Sequence, residues 1–175
     1  MRTIRLNILD INQTLKDLAD AKSWLKAKAT EFSNELAETG ASSAGLKFAD
    51  AEYDGTNDVV VRSEPRGEGK AAVVADGNAT LFIEFGTGIT YPDVHPEAAE
   101  LGMFHGQFGY KLGNNPNGWR YPGEKGPGTH GEVIPEGQPH AGMIHTYGNP
   151  ARMGMWETVR ELEQNYEEVA RRIFV

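Results

Sequence analysis

The chain contains no cysteine among its 175 residues. This absence excludes disulfide bonds, thiolate zinc sites and cysteine catalysis, so no covalent link joins distant parts of the fold. No window holds the roughly 18 consecutive apolar residues that a membrane-spanning helix requires. The first seven residues hold no long apolar stretch and no small-residue cleavage site, so export is not expected.

Positive charge is also scarce. The sequence has 17 Lys and Arg against 25 Asp and Glu, which gives a net charge of −8, and it has no Lys/Arg block. A protein that wraps DNA neutralises many phosphates with such residues, so this role is not expected. The length and the 39% hydrophobic content instead indicate one globular domain over residues 1–175.

Apolar spacing predicts a strand followed by a long helix. Residues 1–9 alternate apolar and polar side chains, as a half-buried strand does. Asp10 is predicted to cap the helix and Gly40 to end it. Within the helix, apolar residues recur in steps of three and four, or seven across Lys22; they are Ile11, Leu15, Leu18, Leu25, Ala29, Phe32 and Leu36. Such a helix, about 40 Å long, exceeds what one small sheet needs.

Strand-like runs and a second helix complete the predicted core. Residues 46–53, 58–63 and 70–75 read as strands of an antiparallel meander, because short turn-forming segments separate them. Residues 79–85 fit a strand or a short helix equally well. A C-terminal helix is predicted from Asn149-Pro150, or one turn later from Gly154. The expected fold is therefore α+β, with both helices packed on the meander.

Residues 86–150 differ in composition from the rest of the chain. They hold 14 of the 21 Gly, 8 of the 9 Pro and all five His. A structureless segment of this length is improbable inside a compact domain unless it serves a purpose. We interpret residues 89–148 as a Gly/Pro-rich loop inserted into a core of residues 1–88 and 149–175, and we expect it to become ordered against a neighbouring subunit.

Residues that could carry chemistry favour structural roles. The five His lack the spacing of a helical metal pair, so no metal, catalytic or cofactor-binding residue is assigned. Glu84 beside Phe85 is either an acid of raised pKa or a cap or interface partner. Gly86-Thr87-Gly88 lacks the Lys-Ser/Thr of a phosphate loop and is predicted to be a turn.

Two tryptophans and the helical stripes point to packing surfaces. Trp119 is either a loop anchor or an interface residue, since Trp is frequent at interface hot spots. Trp156 adjoins the C-terminal stripe and is expected in the core. Both long helices carry heptad-like apolar stripes, and a small monomer has limited surface with which to cover them. Self-association is therefore expected.

Two motifs resemble a known family. Residues 74–88, which end in Glu84-Phe85-Gly86-Thr87-Gly88, look like the central signature of tail-completion or neck proteins of long-tailed bacteriophages. Residues 145–158, which include Pro150, Arg152 and Trp156, look like that family's second signature. Gly154 stands where related sequences often have Pro, and the inserted segment is longer than the minimal family pattern.

The resemblance implies a virion structural protein with no enzyme activity and no cofactor. Such a subunit would form a ring, expected to be a hexamer, at the head–tail junction. Its partners would be head-connector and tail-tube proteins, with DNA only passing through the channel. Two other hypotheses stay open: a His-liganded metal hydrolase, and a carbohydrate- or peptide-binding module that uses the aromatic residues between positions 104 and 121.

Overall fold

The computed structural model describes residues 8–51, 57–87, 94–103, 118–125 and 131–175. The helices and strands within these ranges are, in chain order, α1 (Ile8–Ala49), β1 (Val60–Gly67), β2 (Lys70–Asp76), α2 (Thr80–Phe85), β3 (Trp119–Tyr121), β4 (Gly131–Val133), β5 (Ile144–Thr146) and α3 (Gly154–Ile173). The α+β class is confirmed, with two long helices and small antiparallel sheets. None of the described helices is both long and apolar enough to cross a membrane.

Helix α1 begins earlier than predicted. It has 42 residues, which corresponds to a length of about 63 Å. The strand predicted over residues 1–9 is wrong for residues 8 and 9, which are helical; residues 1–7 lie outside the described part of the chain. Ile8 precedes Ile11 by three residues and therefore also fits the helical period, which explains the error.

Gly40 does not end α1. The helix continues to Ala49, so the strand predicted over residues 46–53 is wrong for 46–49, while residues 52 and 53 lie outside the described ranges. A Cβ atom at Gly40 would lie 2.9 Å from both Leu162 Cδ1 and Val73 Cγ2. The glycine therefore allows α3 and β2 to approach the helix closely, and it is a packing residue rather than a stop signal.

The predicted meander is a two-stranded hairpin. Strands β1 and β2 pair antiparallel from Val60↔Asp76 to Gly67↔Lys70, which confirms the second and third predicted strands. Over its described residues the first is absent, since residues 46–49 extend α1 and residues 50 and 51 are in no strand. A separate sheet with the order β3-β5-β4 comes from the 89–148 segment, of which residues 89–93, 104–117 and 126–130 lie outside the description.

The core lies where α1, the hairpin and α2 meet. Ala44 and Phe48 of α1 pack with Ala79 and Ile83, which belong to α2 and the residue before it. The open alternative for residues 79–85 is thus resolved as a helix that turns an apolar side to α1.

Helix α3 runs antiparallel to α1. A Cβ atom at Gly154, where α3 begins, would lie 3.2 Å from Phe48 Cε2, and Arg172 near its end bonds to Glu35. The helix starts at Gly154 rather than at Asn149-Pro150, since the backbone N–H and C=O of Asn149 bond to Thr87 instead.

We expect unequal effects from the same substitution at two glycines of α1. Gly45→Ala raises the free energy of unfolding by about 0.5–1 kcal/mol, because alanine is the better helix former and the nearest atom to its Cβ is 4.0 Å away. Gly40→Ala gives a protein at least ~1 kcal/mol less stable than Gly45→Ala, because Leu162 and Val73 must shift. Urea denaturation measures both, and equal stability of the two variants contradicts the packing role of Gly40.

Candidate functional site

A buried glutamate joins the two sequence motifs. Glu84, on α2, is only 5% exposed. Its Oε2 accepts a hydrogen bond from the backbone N–H of Met155 at 2.8 Å, and its Oε1 accepts one from that of Trp156 at 2.9 Å. These N–H groups belong to the first turn of α3, where no intrahelical acceptor exists. Glu84 therefore caps α3 from a position about 70 residues earlier, and its negative charge faces the positive end of the helix dipole.

His95 adds a further partner to the same carboxylate. Its Nε2 lies 3.3 Å from Glu84 Oε1, and its Nδ1 accepts a hydrogen bond from the Glu97 backbone N–H at 3.1 Å. Because Nδ1 is an acceptor, these contacts assign the proton of a neutral ring to Nε2, which then donates to Glu84. The imidazole packs 4.4 Å from the Phe85 ring and 6.4 Å from the Trp156 ring, between centroids.

Backbone hydrogen bonds hold the two motifs side by side. The N–H of Arg152 donates to the carbonyl of Ile83 at 2.8 Å, and the N–H of Met153 donates to the carbonyl of Glu84 at 3.2 Å. Thr87 and Asn149 bond twice, from Thr87 N–H to Asn149 C=O and from Asn149 N–H to Thr87 Oγ1, each at 2.9 Å. These bonds satisfy the backbone carbonyls at the end of the short helix α2. They also fix the angle between α2 and the start of α3.

Two residues beside the cap adopt unusual backbone angles. Gly86 has φ 79° and ψ 180°, a region that is essentially restricted to glycine. It turns the chain away from α2 toward Thr87, so the predicted turn is confirmed there. Met153 has φ 53° in the left-handed region and immediately precedes α3.

Most of the predicted site residues lie where residues 83–87 contact residues 149–156, and we call this contact region the junction. They are Glu84, Phe85, Gly86, Thr87, Pro150, Arg152 and Trp156. Trp156 is half-buried rather than a core residue, with the Arg160 guanidinium 5.3 Å from the centre of its ring. Gly88 lies outside the described residues. Trp119 lies in the second sheet, where its backbone pairs with Thr146, and its side chain is not described.

Asp58 also belongs to this site, and its role was not predicted from the sequence. Its Oδ2 accepts hydrogen bonds from the backbone N–H and the side-chain amide of Asn78, at 2.9 and 2.8 Å. Its Oδ1 accepts one from the Ala79 N–H at 2.9 Å. These bonds lower the pKa of Asp58 below its ordinary value and fix the turn that leads into α2. The twenty-residue separation leaves no local signal in the sequence.

The contacts of the junction hold the first turn of α3 in place. With three donors around it, both oxygens of the Glu84 carboxylate have hydrogen-bond partners within the chain itself. Of the three roles open to Glu84, its hydrogen bonds to Met155 and Trp156 match the cap. Among the residues that the structure describes, no three His, Asp or Glu side chains are grouped to hold a metal ion; His105 and His130 lie outside them.

Exposed apolar helix faces form the second part of the site. Every described side chain from residue 8 to residue 27 of α1 is exposed, and we call this segment the overhang. It includes Leu15 and Leu18, which are 60% and 62% exposed. Helix α3 has an outer face of its own, on which Val159 and Tyr166 are about half exposed. Both helices therefore present apolar side chains that the described residues do not cover.

Removing the Glu84 carboxylate is expected to loosen α3. Glu84→Ala lowers the free energy of unfolding by about 3 kcal/mol or more, because two partly buried N–H groups each lose a charged acceptor. Glu84→Gln loses less, since one amide oxygen remains. Glu157→Gln is the matched control, because that side chain is exposed in the same first turn; its effect stays within about 1 kcal/mol. Urea denaturation compares them, and similar losses for Glu84→Ala and Glu157→Gln contradict a directed cap.

Acid should weaken the turn that Asp58 holds. A lowered pKa in the folded state contributes stability above the ordinary value of 3.8, and this contribution is lost as the pH falls below that value through the folded-state pKa. Between about pH 5 and pH 3 the wild-type protein therefore loses more unfolding free energy than Asp58→Asn, which has no such proton to bind. Parallel pH profiles of the two proteins in chemical denaturation contradict this role.

Comparisons with known proteins identify no relative. No family model, no curated protein and no solved structure matches the chain. The functional argument consequently depends on the two motifs, on the junction that unites them and on the exposed faces of α1 and α3.

Proposed function

We propose that this chain is a structural subunit of a bacteriophage virion, a ring-forming tail-completion or neck component that joins the tail to the head connector. The proposal starts from the two motifs that resemble this family. They are more than 50 residues apart in the sequence, yet Glu84 of the first caps the helix that begins in the second, at Met155 and Trp156. Motifs that meet in this way are parts of one structural unit.

The observation that carries the proposal is the overhang of α1. Its 20 residues correspond to about 30 Å of helix with every described side chain exposed. An isolated helix is marginally stable in water, and most helices in proteins depend on tertiary packing. The overhang also exposes Ile8, Leu15 and Leu18 on one stripe, at about 25 cal/mol for each Å² that a partner could cover. Assembly with other subunits supplies the missing contacts.

The rigid junction and the acidic charge fit the same role. A ring closes only if each subunit presents its two contact surfaces at a fixed angle, and the cap by Glu84 fixes α3 relative to the core. A net charge of −8 disfavours a tight hold on DNA phosphates, as suits the wall of a channel through which DNA passes. Head-connector and tail-tube proteins are the proposed partners, and the virion is the proposed location.

Native mass spectrometry and averaged electron micrographs of the purified full chain test the proposal. The expected result is a discrete closed oligomer, a hexamer in the simplest case, with a central channel. If the subunit assembles only on its partners, the ring appears when purified connector or tail-tube protein is added. A chain that stays monomeric, alone and with both partners, overturns the proposal.

Charging the overhang is expected to abolish assembly without unfolding the subunit. Leu18→Asp combined with Leu25→Asp places two carboxylates on the exposed apolar stripe, so the oligomer dissociates to monomers in sedimentation velocity. The melting temperature of the monomer stays within a few degrees of wild type, since both side chains are exposed. Gln13→Asp, on the other side of the same helix, is the control and keeps the oligomer. Equal assembly of both variants contradicts the role of the overhang.

A further inference from the structure

The exposed stripe of α1 and the outer face of α3 have the same spacing. We call them the α1 seam (Leu15, Leu18, Lys22, Leu25 and Ala29) and the α3 seam (Trp156, Val159, Glu163, Tyr166 and Ala170); the end positions Ala29, Trp156 and Ala170 are partly buried in their own copy. Each advances by three, four, three and four residues, the spacing at which helices pack as coiled coils. In each seam the middle position alone is charged, and the two charges are opposite.

We infer that the α1 seam of one copy packs against the α3 seam of a second copy, with Lys22 beside Glu163. This inference rests on the self-assembly in the proposed function but does not depend on a role in a virion. A single charged residue in an apolar seam specifies register and partner at a cost in stability. Here neither charge is buried without an opposite one, because the ammonium group of Lys22 and the carboxylate of Glu163 lie in one contact. Each therefore offsets part of the cost of removing the other from water.

The charges argue against pairing of like seams. Two α1 seams aligned in register bring Lys22 against Lys22, and two α3 seams bring Glu163 against Glu163. The surrounding residues show the same asymmetry. Residues 15–29 contain four Lys and two Asp, whereas residues 156–170 contain five Glu and one Arg. Contact between unlike seams is therefore favoured by charge as well as by apolar burial.

The existing partners of the two charged residues do not oppose this contact. Glu163 bonds to Arg160 at 3.0 Å, in a pair whose side chains are both more than half exposed. Such a pair contributes at most about 1 kcal/mol, so Glu163 can exchange it for a shielded partner. Lys22 forms no ion pair within the described ranges of the chain.

Length and continuity support the same pairing. The stripe that continues the α1 seam beyond Ala29 already packs on α3 of its own copy, where Phe32 meets Phe174 and Gly40 meets Leu162. Past the end of that helix the stripe runs on, uncovered, for about 30 Å, which is also the length of the 20-residue α3. A second copy's α3 therefore has about the length of the overhang, and with Lys22 beside Glu163 its seam covers residues 15–29 of α1.

The contact cannot form within one copy. Glu161, two residues before Glu163, bonds to Ser43 and Lys47 of α1. Ser43 is 21 residues from Lys22, a distance of about 30 Å along the helix. A link between positions 22 and 163 therefore reports contact between two copies.

Cysteine cross-linking tests the inference without interference, because the natural chain has no cysteine. Lys22→Cys protein is mixed with Glu163→Cys protein under conditions that allow subunit exchange, and a short bismaleimide is added. Mass spectrometry is expected to find 22–163 links, and the double variant should give a ladder of linked subunits. Asp20→Cys with Glu168→Cys is the matched control, since these positions lie on the far sides of the two helices, and it should remain largely unlinked.

Charge reversal provides the second readout. Lys22→Glu and Glu163→Lys should each raise the dissociation constant of the assembly by about tenfold or more, the scale expected for close interfacial charge pairs. The double reversal should recover most of the lost affinity. Both positions are exposed, so the melting temperature of the monomer checks that each variant remains folded.

The outcomes separate this inference from the proposed function. Specific 22–163 links together with rescue by the double reversal support it. Links between two copies of the Lys22→Cys protein, or a discrete ring without 22–163 links, overturn the seam pairing and leave the ring in place. A closed twofold dimer with 22–163 links keeps the seam pairing and overturns the ring, because reciprocal contacts close at two copies whereas head-to-tail contacts continue to a third. A chain that stays monomeric, alone and with both partner proteins, and gives no link overturns both.

Discussion

The Glu84 carboxylate is the interaction on which the arrangement of the structure depends. It lies on α2, accepts hydrogen bonds from the first turn of α3 and from His95, and is almost completely buried. A buried carboxylate is costly unless it is fully hydrogen-bonded, and here all three donors come from the chain itself. The same interaction satisfies two N–H groups in the first turn of α3 that have no acceptor within the helix.

The consequence of this cap is a fixed geometry between the two long helices. Asp58 fixes the turn before α2, Glu84 links α2 to α3, and Gly40 and Gly154 allow α3 to lie close against α1. These contacts fix the start of α3 relative to the core. The overhang of α1, by contrast, is left uncovered by the described residues, and the proposed assembly would cover it.

Part of the candidate site could be predicted from the sequence, because local chemistry determines it. Gly86 stands at a backbone angle that only glycine readily adopts, and a glutamate among apolar residues implies a specific polar partner. The partner itself could not be predicted. Met155 lies 71 residues from Glu84, and nothing in the spacing of the two motifs indicates that the first supplies the cap of the second. The pairing of His95 with Glu84 could not be predicted either, since nothing in the sequence indicates that these two residues lie close together in the fold.

The sequence by itself determined the α+β class, the hairpin and the apolar stripes of both long helices, because periodicity and turn residues act over short distances. The tertiary structure decided where α1 ends. Gly40 has the local character of a helix stop, yet the close approach of Leu162 and Val73 makes it a packing residue, and the stretch after it remains helical because Ala44 and Phe48 face the core. The tertiary structure also decided which half of the α1 stripe is covered. An apolar stripe looks the same along its whole length, and only the position of α3 distinguishes its buried half from its exposed one.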